Sequence, residues 1–194
     1  TYVQYYISLL KSKHLLIFSF YSNNKDYNSQ IIKIFLFFFS FCSNLVINAL
    51  FFNDETIHKI YIDKSKYNFI YQIPQILYSS LISMFIGIVI KMLALSQGDI
   101  SEFKQLKDKK KLDKELQELL KTLNIKLISF FIVSFFLLLF FWYYLICFCG
   151  IYVNTQSHLI KDTITSFISS LIYPFGFYLI PGIFRILALK KEHK

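Results

Sequence analysis

Three groupings in the sequence put reactive side chains close enough to act together. The first is Asp54, Glu55, His58 and Asp63, acids around one histidine in a single hydrophilic stretch. Side chains of these types can hold a metal ion or pass a proton. The second is His158 and Asp162, four residues apart, which a helix would bring onto one face. The third is Cys147 with Cys149 at the end of an apolar run, two soft metal ligands. Each lacks something. The first cluster is interleaved with Lys59, Lys64 and Lys66 and reads as a solvated, mixed-charge loop. His158 and Asp162 read as a structural hydrogen bond, and the cysteine pair has no companion histidine or second cysteine pair. A phosphate-cradling glycine loop, a nucleophile elbow, a zinc-helix pattern and paired carboxylates within apolar runs are all missing. The chain is therefore expected to be no enzyme, with no catalytic residue, cofactor or metal.

The elements that would position any site must be built from an unusual composition. Of 194 residues, 55% are hydrophobic and 20% aromatic, and the mean hydropathy is positive. A soluble domain of this length has no interior large enough for so much Phe, Leu and Ile, whereas a bilayer accepts it. Cys42, Cys147 and Cys149 are odd in number and lie in or beside apolar runs, so they form no disulfide framework. The net charge of +9 comes from lysines placed mostly between the apolar runs, where they report topology and attract anionic lipid. Acids nearly match lysines in the longest basic stretch, which argues against nucleic acid as a partner.

The expected architecture is all-α: a polytopic membrane bundle of four transmembrane helices, a cytoplasmic amphipathic helix and a last span broken by proline and glycine. Residues 1–30 form an interfacial segment, with Leu9, Leu10, Leu16, Ile17 and Phe20 on one face. Residues 31–95 hold the first two spans. Ser40, Asn44 and Asn48 recur every four positions on the first, and Ser79, Ser83 and Gly87 do so on the second. Polar stripe against small-residue stripe is how membrane helices hydrogen-bond and approach closely. A polar path for a substrate is the other meaning of the first stripe. Pro74 is placed in the first turn of the second span, and Lys91 near its far end snorkels to the head groups.

Residues 96–126 read as a charged cytoplasmic helix capped at Ser101, with Leu112, Leu116, Leu119 and Leu123 as a partner seam. That seam can close on its own hairpin, dock on another subunit or lie on anionic lipid. Residues 127–189 hold the last two spans, and 190–194 are a basic tail. The final span carries Pro174, Gly176, Pro181 and Gly182, so its helix must bend or break and take hydrogen bonds from neighbours. Asp and Glu are missing from the four spans themselves, 31–52, 69–95, 127–151 and 167–189, which counts against an acid-lined ion path. Lysines concentrate on the side of the amino-terminal stretch, the 96–126 segment and the tail, which places both termini in the cytoplasm.

The runs NALFFNDETIHK at 48–59, YNFIYQIPQILYSS at 67–80, FWYYLICFC at 141–149 and NTQSHLIKDTITSFISSLIYPFGFYLIPGIFR at 154–185 resemble the carboxy-terminal membrane module of very large protist surface proteins, ciliates especially. The resemblance covers most of the chain from about Lys13. It implies a membrane anchor, with signal relay as an added role, at the end of a large cell-surface or ciliary-membrane protein. The lack of an initial methionine and of a signal sequence fits a longer or processed polypeptide. The implied partners are the lipid bilayer and partner membrane or ectodomain proteins, with oligomerisation left open. Two alternatives stand beside it: a pore or transporter unit of an oligomeric channel, and an accessory subunit of a mitochondrial inner-membrane complex.

Overall fold

The computed structural model describes residues 6–7, 11, 14–20, 27–62, 68–104 and 112–192, excluding the side chains at 97, 112, 177–178, 181–182 and 185–192. Among the described residues the elements are all helices: α1 (Leu15–Phe20), α2 (Gln30–Leu50), α3 (Asp54–Ile62), α4 (Phe69–Ala94), α5 (Gln97–Phe103), α6 (Leu112–Ile151) and α7 (Gln156–Glu192). By length and composition, α2, α4 and residues Asp113–Ile151 of α6 can cross a membrane. That is the pattern of an integral membrane protein. On its described residues α7 is not among these helices. Its first half carries His158, Lys161, Asp162, Thr163 and Ser166 ahead of the apolar stretch.

Helix α2 lies at the centre. It packs on α4 and α7 along one side, on α6 along another and on α1 near its start. The main apolar core joins Phe18 of α1, Leu36, Phe39 and Val46 of α2, Ile90 and Ala94 of α4, and Phe130 and Phe141 of α6. Edge-to-face rings fasten the layers, Phe35 to Phe130 at 5.5 Å and Phe37 and Phe41 to Phe167 at 5.4 and 5.3 Å. A second cluster, Ala49, Phe52, Ile57, Ile60, Phe148 and Leu159, closes the opposite end of the bundle.

Several expectations are corrected. The stretch after α2 is a helix from Asp54 to Ile62, not a loop. Asn53 Oδ1 accepts from Thr56 N at 2.8 Å, Asp54 and Glu55 occupy the first turn and Lys59 the last, and Ile57 and Ile60 bury one face. Capping, dipole matching and apolar periodicity thus agree over nine residues. The charged segment is likewise not one helix ending at 126. Helix α5 ends at Phe103, and α6 runs 40 residues from Leu112 through the third span, about 60 Å at 1.5 Å per residue and twice the hydrocarbon thickness. Neither Gly nor Pro occurs in α6 before Gly150, so nothing stops the helix where water gives way to lipid. Ser101 lies inside α5, and Ser96 takes the cap position.

In α1 the buried residues are Leu15, Phe18 and Ser19, while Leu16 and Phe20 are exposed; Leu9 and Leu10 lie outside the described residues. The inward face is chosen by α2. Ser19 Oγ donates to Lys33 O at 3.0 Å, and the Lys33 ammonium sits 5.0 Å from the Phe18 ring centre. Pro74 is the sixth residue of α4, inside the helix, whose start is capped by Asn68 Oδ1 accepting from Tyr71 N. The expected break at Pro174, Gly176, Pro181 and Gly182 is not seen: α7 is one helix from Gln156 to Glu192. Two bonds from the amino-terminal segment reach carbonyls in the proline region of α7: His14 Nε2 donates to Leu171 O at 2.7 Å and Tyr6 OH to Phe175 O at 3.2 Å.

Candidate functional site

The polar side chains of α2, α4 and α7 meet in one seam at the centre of the bundle. Asn44 on α2 donates from Nδ2 to Ser83 Oγ on α4 at 2.8 Å and to Ser40 O at 3.1 Å. Its Oδ1 accepts from Ser166 Oγ on α7 at 2.8 Å. One turn further along α2, Asn48 Oδ1 accepts from Ser79 Oγ of α4 at 2.8 Å, and Ser79 lies 3.1 Å from Ser166 Oγ. Gln75, one turn earlier on α4, reaches Asn48 O and Asp162 Oδ2, each at 3.4 Å. Asn44, Asn48, Ser79, Ser83, Asp162 and Ser166 all have 0% exposure.

The helix repeat explains the assembly. Residues four apart fall on one side of a helix, so Ser40, Asn44 and Asn48 on α2, Gln75, Ser79 and Ser83 on α4, and Asp162 and Ser166 on α7 make three polar edges. Each edge is intolerable alone in hydrocarbon, because an unsatisfied buried amide or hydroxyl carries a desolvation cost of roughly 1–3 kcal/mol. Brought together, each carboxamide supplies donors and an acceptor and each hydroxyl supplies both. The edges fit only in one register.

The structure brings together five of the six residues expected to form packing faces: Ser40, Asn44, Asn48, Ser79 and Ser83. Gly87 stands apart. A Cβ placed there would meet nothing within 4 Å, so no backbone approaches it. The residues missing from the expectation are Gln75, Asp162 and Ser166. Asp162 and Ser166 carry the same four-residue spacing as the α2 stripe, but they precede the apolar run that set the start of the last span. An acid therefore does lie in the interhelical interior, contrary to the expectation from the span boundaries.

The other chemical candidates are dispersed. Asp54, Glu55 and His58 are exposed on α3, and Asp63 lies outside the described residues. Buried His158 faces a pocket at the end of the seam with Thr56, Lys59, Asn68, Tyr71 and Gln72. Among the described residues no group of three or more His, Cys, Asp or Glu could hold a metal ion. Cys42 and Cys147 are half-buried, Cys149 is exposed, and all three are free. In the leucine seam, Leu116 is exposed and Leu119 and Leu123 are half-buried, while the Leu112 side chain lies outside the description. Helix α5 packs on α6 here, with Lys126 Nζ bonded to Asp99 Oδ2 at 2.6 Å and to Leu95 O at 3.2 Å.

Comparison with protein families, curated proteins and solved structures finds no match to this chain.

Proposed function

We propose that the chain is a membrane-anchoring bundle with four spans, α7 being the fourth, both termini cytoplasmic, and no chemistry of its own. The observation that carries this reading is the seam. It fastens α2, α4 and α7 through side-chain hydrogen bonds that are mutually satisfied and closed to solvent, which suits a part whose task is to hold its shape under load. The bundle belongs at the end of a larger cell-surface or ciliary-membrane protein, an assignment supported by its resemblance to protist surface-protein modules. Helix α6 projects beyond the bilayer thickness and would offer its charged part to a cytoplasmic partner. The test is the size of the native polypeptide carrying these residues, from peptide mass spectrometry of a denaturing gel band. A band many times larger, with peptides upstream of Thr1, supports the anchor. A band with the mass of this chain alone overturns it.

Asp162 favours a second reading, a pore or transporter unit. A fully buried carboxylate in a polar interhelical seam is the usual mark of an ion or substrate path. Purified protein in lipid vesicles separates the two. Asp162→Asn keeps the side-chain shape, so an anchor retains its thermal stability within a few degrees and shows no flux before or after. A transport path shows flux in the parent protein that the substitution abolishes.

A further inference from the structure

Helix α6 is the least covered of the three long apolar helices: 17% of the residues in its apolar stretch are buried, against 44% in α2 and 28% in α4. Its outward side is one continuous face. Leu116, Leu120, Asn124, Leu127 and Phe131 recur on it every three or four residues. The series runs on into a groove of about 710 Å³, walled by Phe135, Trp142 and Cys149 of α6 and by Cys42 of α2 among others. Between residues 116 and 149 the face is roughly 50 Å long. Helix α5 leaves it open, because Lys126, which bonds to Asp99, lies on the other side of α6.

Lipid covers only part of this face. The stretch 113–126 carries acids and lysines on its other sides and lies beyond the hydrocarbon, yet Leu116 and Leu120 are 39% and 52% exposed there. Trp142 is 69% exposed three residues from the middle of the span 127–151. Tryptophan gathers at the membrane–water boundaries, whereas at this depth lipid offers its indole N–H no acceptor. The occupant is therefore a protein helix, and it must pass from water into lipid at the depth where α6 does. Helices α2 and α4, of 21 and 26 residues, have no such aqueous extension. Helix α7 runs the other way and is held by the seam. A second α6 meets the requirement at every level. A half-turn of one molecule about the membrane normal sets two α6 helices parallel, each residue facing its own counterpart. Asn124 then meets Asn124, and a single buried asparagine of this kind fixes register and chain number. The leucines in water supply a hydrophobic drive that lipid denies to the deeper half, where close packing in the groove takes over.

We propose that α6 pairs along this face with α6 of a second copy of the chain, making a parallel two-fold dimer. The pairing needs only that α6 spans the membrane and is independent of whether the bundle anchors or conducts. The experiment uses the full chain in phosphatidylcholine vesicles, with Cys42→Ser and Cys147→Ser, copper phenanthroline as the oxidant and non-reducing gels as the readout. Cys149 should link to its counterpart in more than half of the chains. Two matched pairs, made with Cys149→Ser, test the face itself. In water, Leu120→Cys should link at least fivefold more than Glu118→Cys, an exposed position on the opposite side of α6. In lipid, Phe131→Cys should exceed Phe140→Cys by the same factor, although the two phenylalanines are similarly exposed at 57% and 52%. Leu120→Glu should lower the Cys149-linked fraction at least threefold with helicity unchanged. Equal linking on the two sides of α6 marks random collision and overturns the proposal. A chain that stays monomeric at every protein-to-lipid ratio also overturns it, and assigns the face to lipid or to a different protein.

Discussion

The Ser166 hydroxyl of α7 donates to Asn44 Oδ1 of α2 at 2.8 Å, while the other end of the same carboxamide donates to Ser83 of α4, also at 2.8 Å. One buried side chain therefore clamps three helices. The seat for α7 exists only once α2 and α4 have paired in the register that presents Asn44 Oδ1, so the seam fixes which helices meet and at what height.

Removing the clamp should loosen all three helices together. Asn44→Leu fits the volume but removes the bonds to Ser83 and Ser166, and interhelical hydrogen bonds of this kind are worth roughly 0.6 kcal/mol each with an upper range near 1.7. Two such bonds predict a loss of about 1–3 kcal/mol. Ser166→Ala, which removes one end only, should cost about half as much. Reversible unfolding in mixed micelles measures both. Energies that add in the double variant would show that the two side chains act separately, against the shared bond.

Gly87 predicts the opposite. It occupies the stripe position one turn from Ser83, yet no atom of another helix lies within 4 Å of where a methyl would stand. Gly87→Ala should be neutral or stabilise α4 by up to about 1 kcal/mol through helix propensity. A loss of stability in the same micelle assay would mean that another backbone does approach this position.

Much of the seam is legible in the amino-acid order. Ser40, Asn44 and Asn48 could not all face lipid, and Ser79 and Ser83 offered matching hydroxyls at the same interval. Asp162 and Ser166 escaped because a span is delimited by hydropathy, whereas a helix is delimited by its hydrogen bonds. Helix α7 begins at Gln156, and its polar opening turns are buried by α2 and α4 rather than by lipid. The same difference hides the length of α6, which crosses from charged to apolar sequence without a breaker. Gln75 was obscured by its neighbour Pro74, which marked the stretch as a membrane entry. The short helix α3 was masked by its charge, although Asn53 and the first-turn acids announce its start.

Lys126 and Asp99 should contribute little to stability despite their 2.6 Å separation. Their side chains are 26% and 34% exposed, and pairs as open as this yield roughly 0–1 kcal/mol. Lys126→Gln should therefore shift the unfolding midpoint only slightly, and the shift should shrink further between low and high salt as screening grows. Lys126 also donates to Leu95 O at 3.2 Å, closing the end of α4, and glutamine can still reach a carbonyl. A large, salt-insensitive loss would show that the α5–α6 contact is held more tightly than an exposed ion pair allows.

His14 tests whether the proline region of α7 depends on the amino-terminal segment. Pro174 has no N–H to offer Ser170 O, and the next carbonyl, that of Leu171, accepts from His14 Nε2 at 2.7 Å. The imidazole also packs on Phe175, with ring centres 4.5 Å apart. His14→Phe keeps an aromatic surface and removes the donor, whereas His14→Gln keeps a donor and removes the ring. If the hydrogen bond is what steadies α7, His14→Phe should speed amide exchange around Leu171 to Phe175 by about fivefold, the equivalent of roughly 1 kcal/mol. His14→Gln should then exchange close to the parent rate. The reverse order, with Phe protecting and Gln failing, would assign the role to ring packing and leave Leu171 O to be satisfied within its own helix.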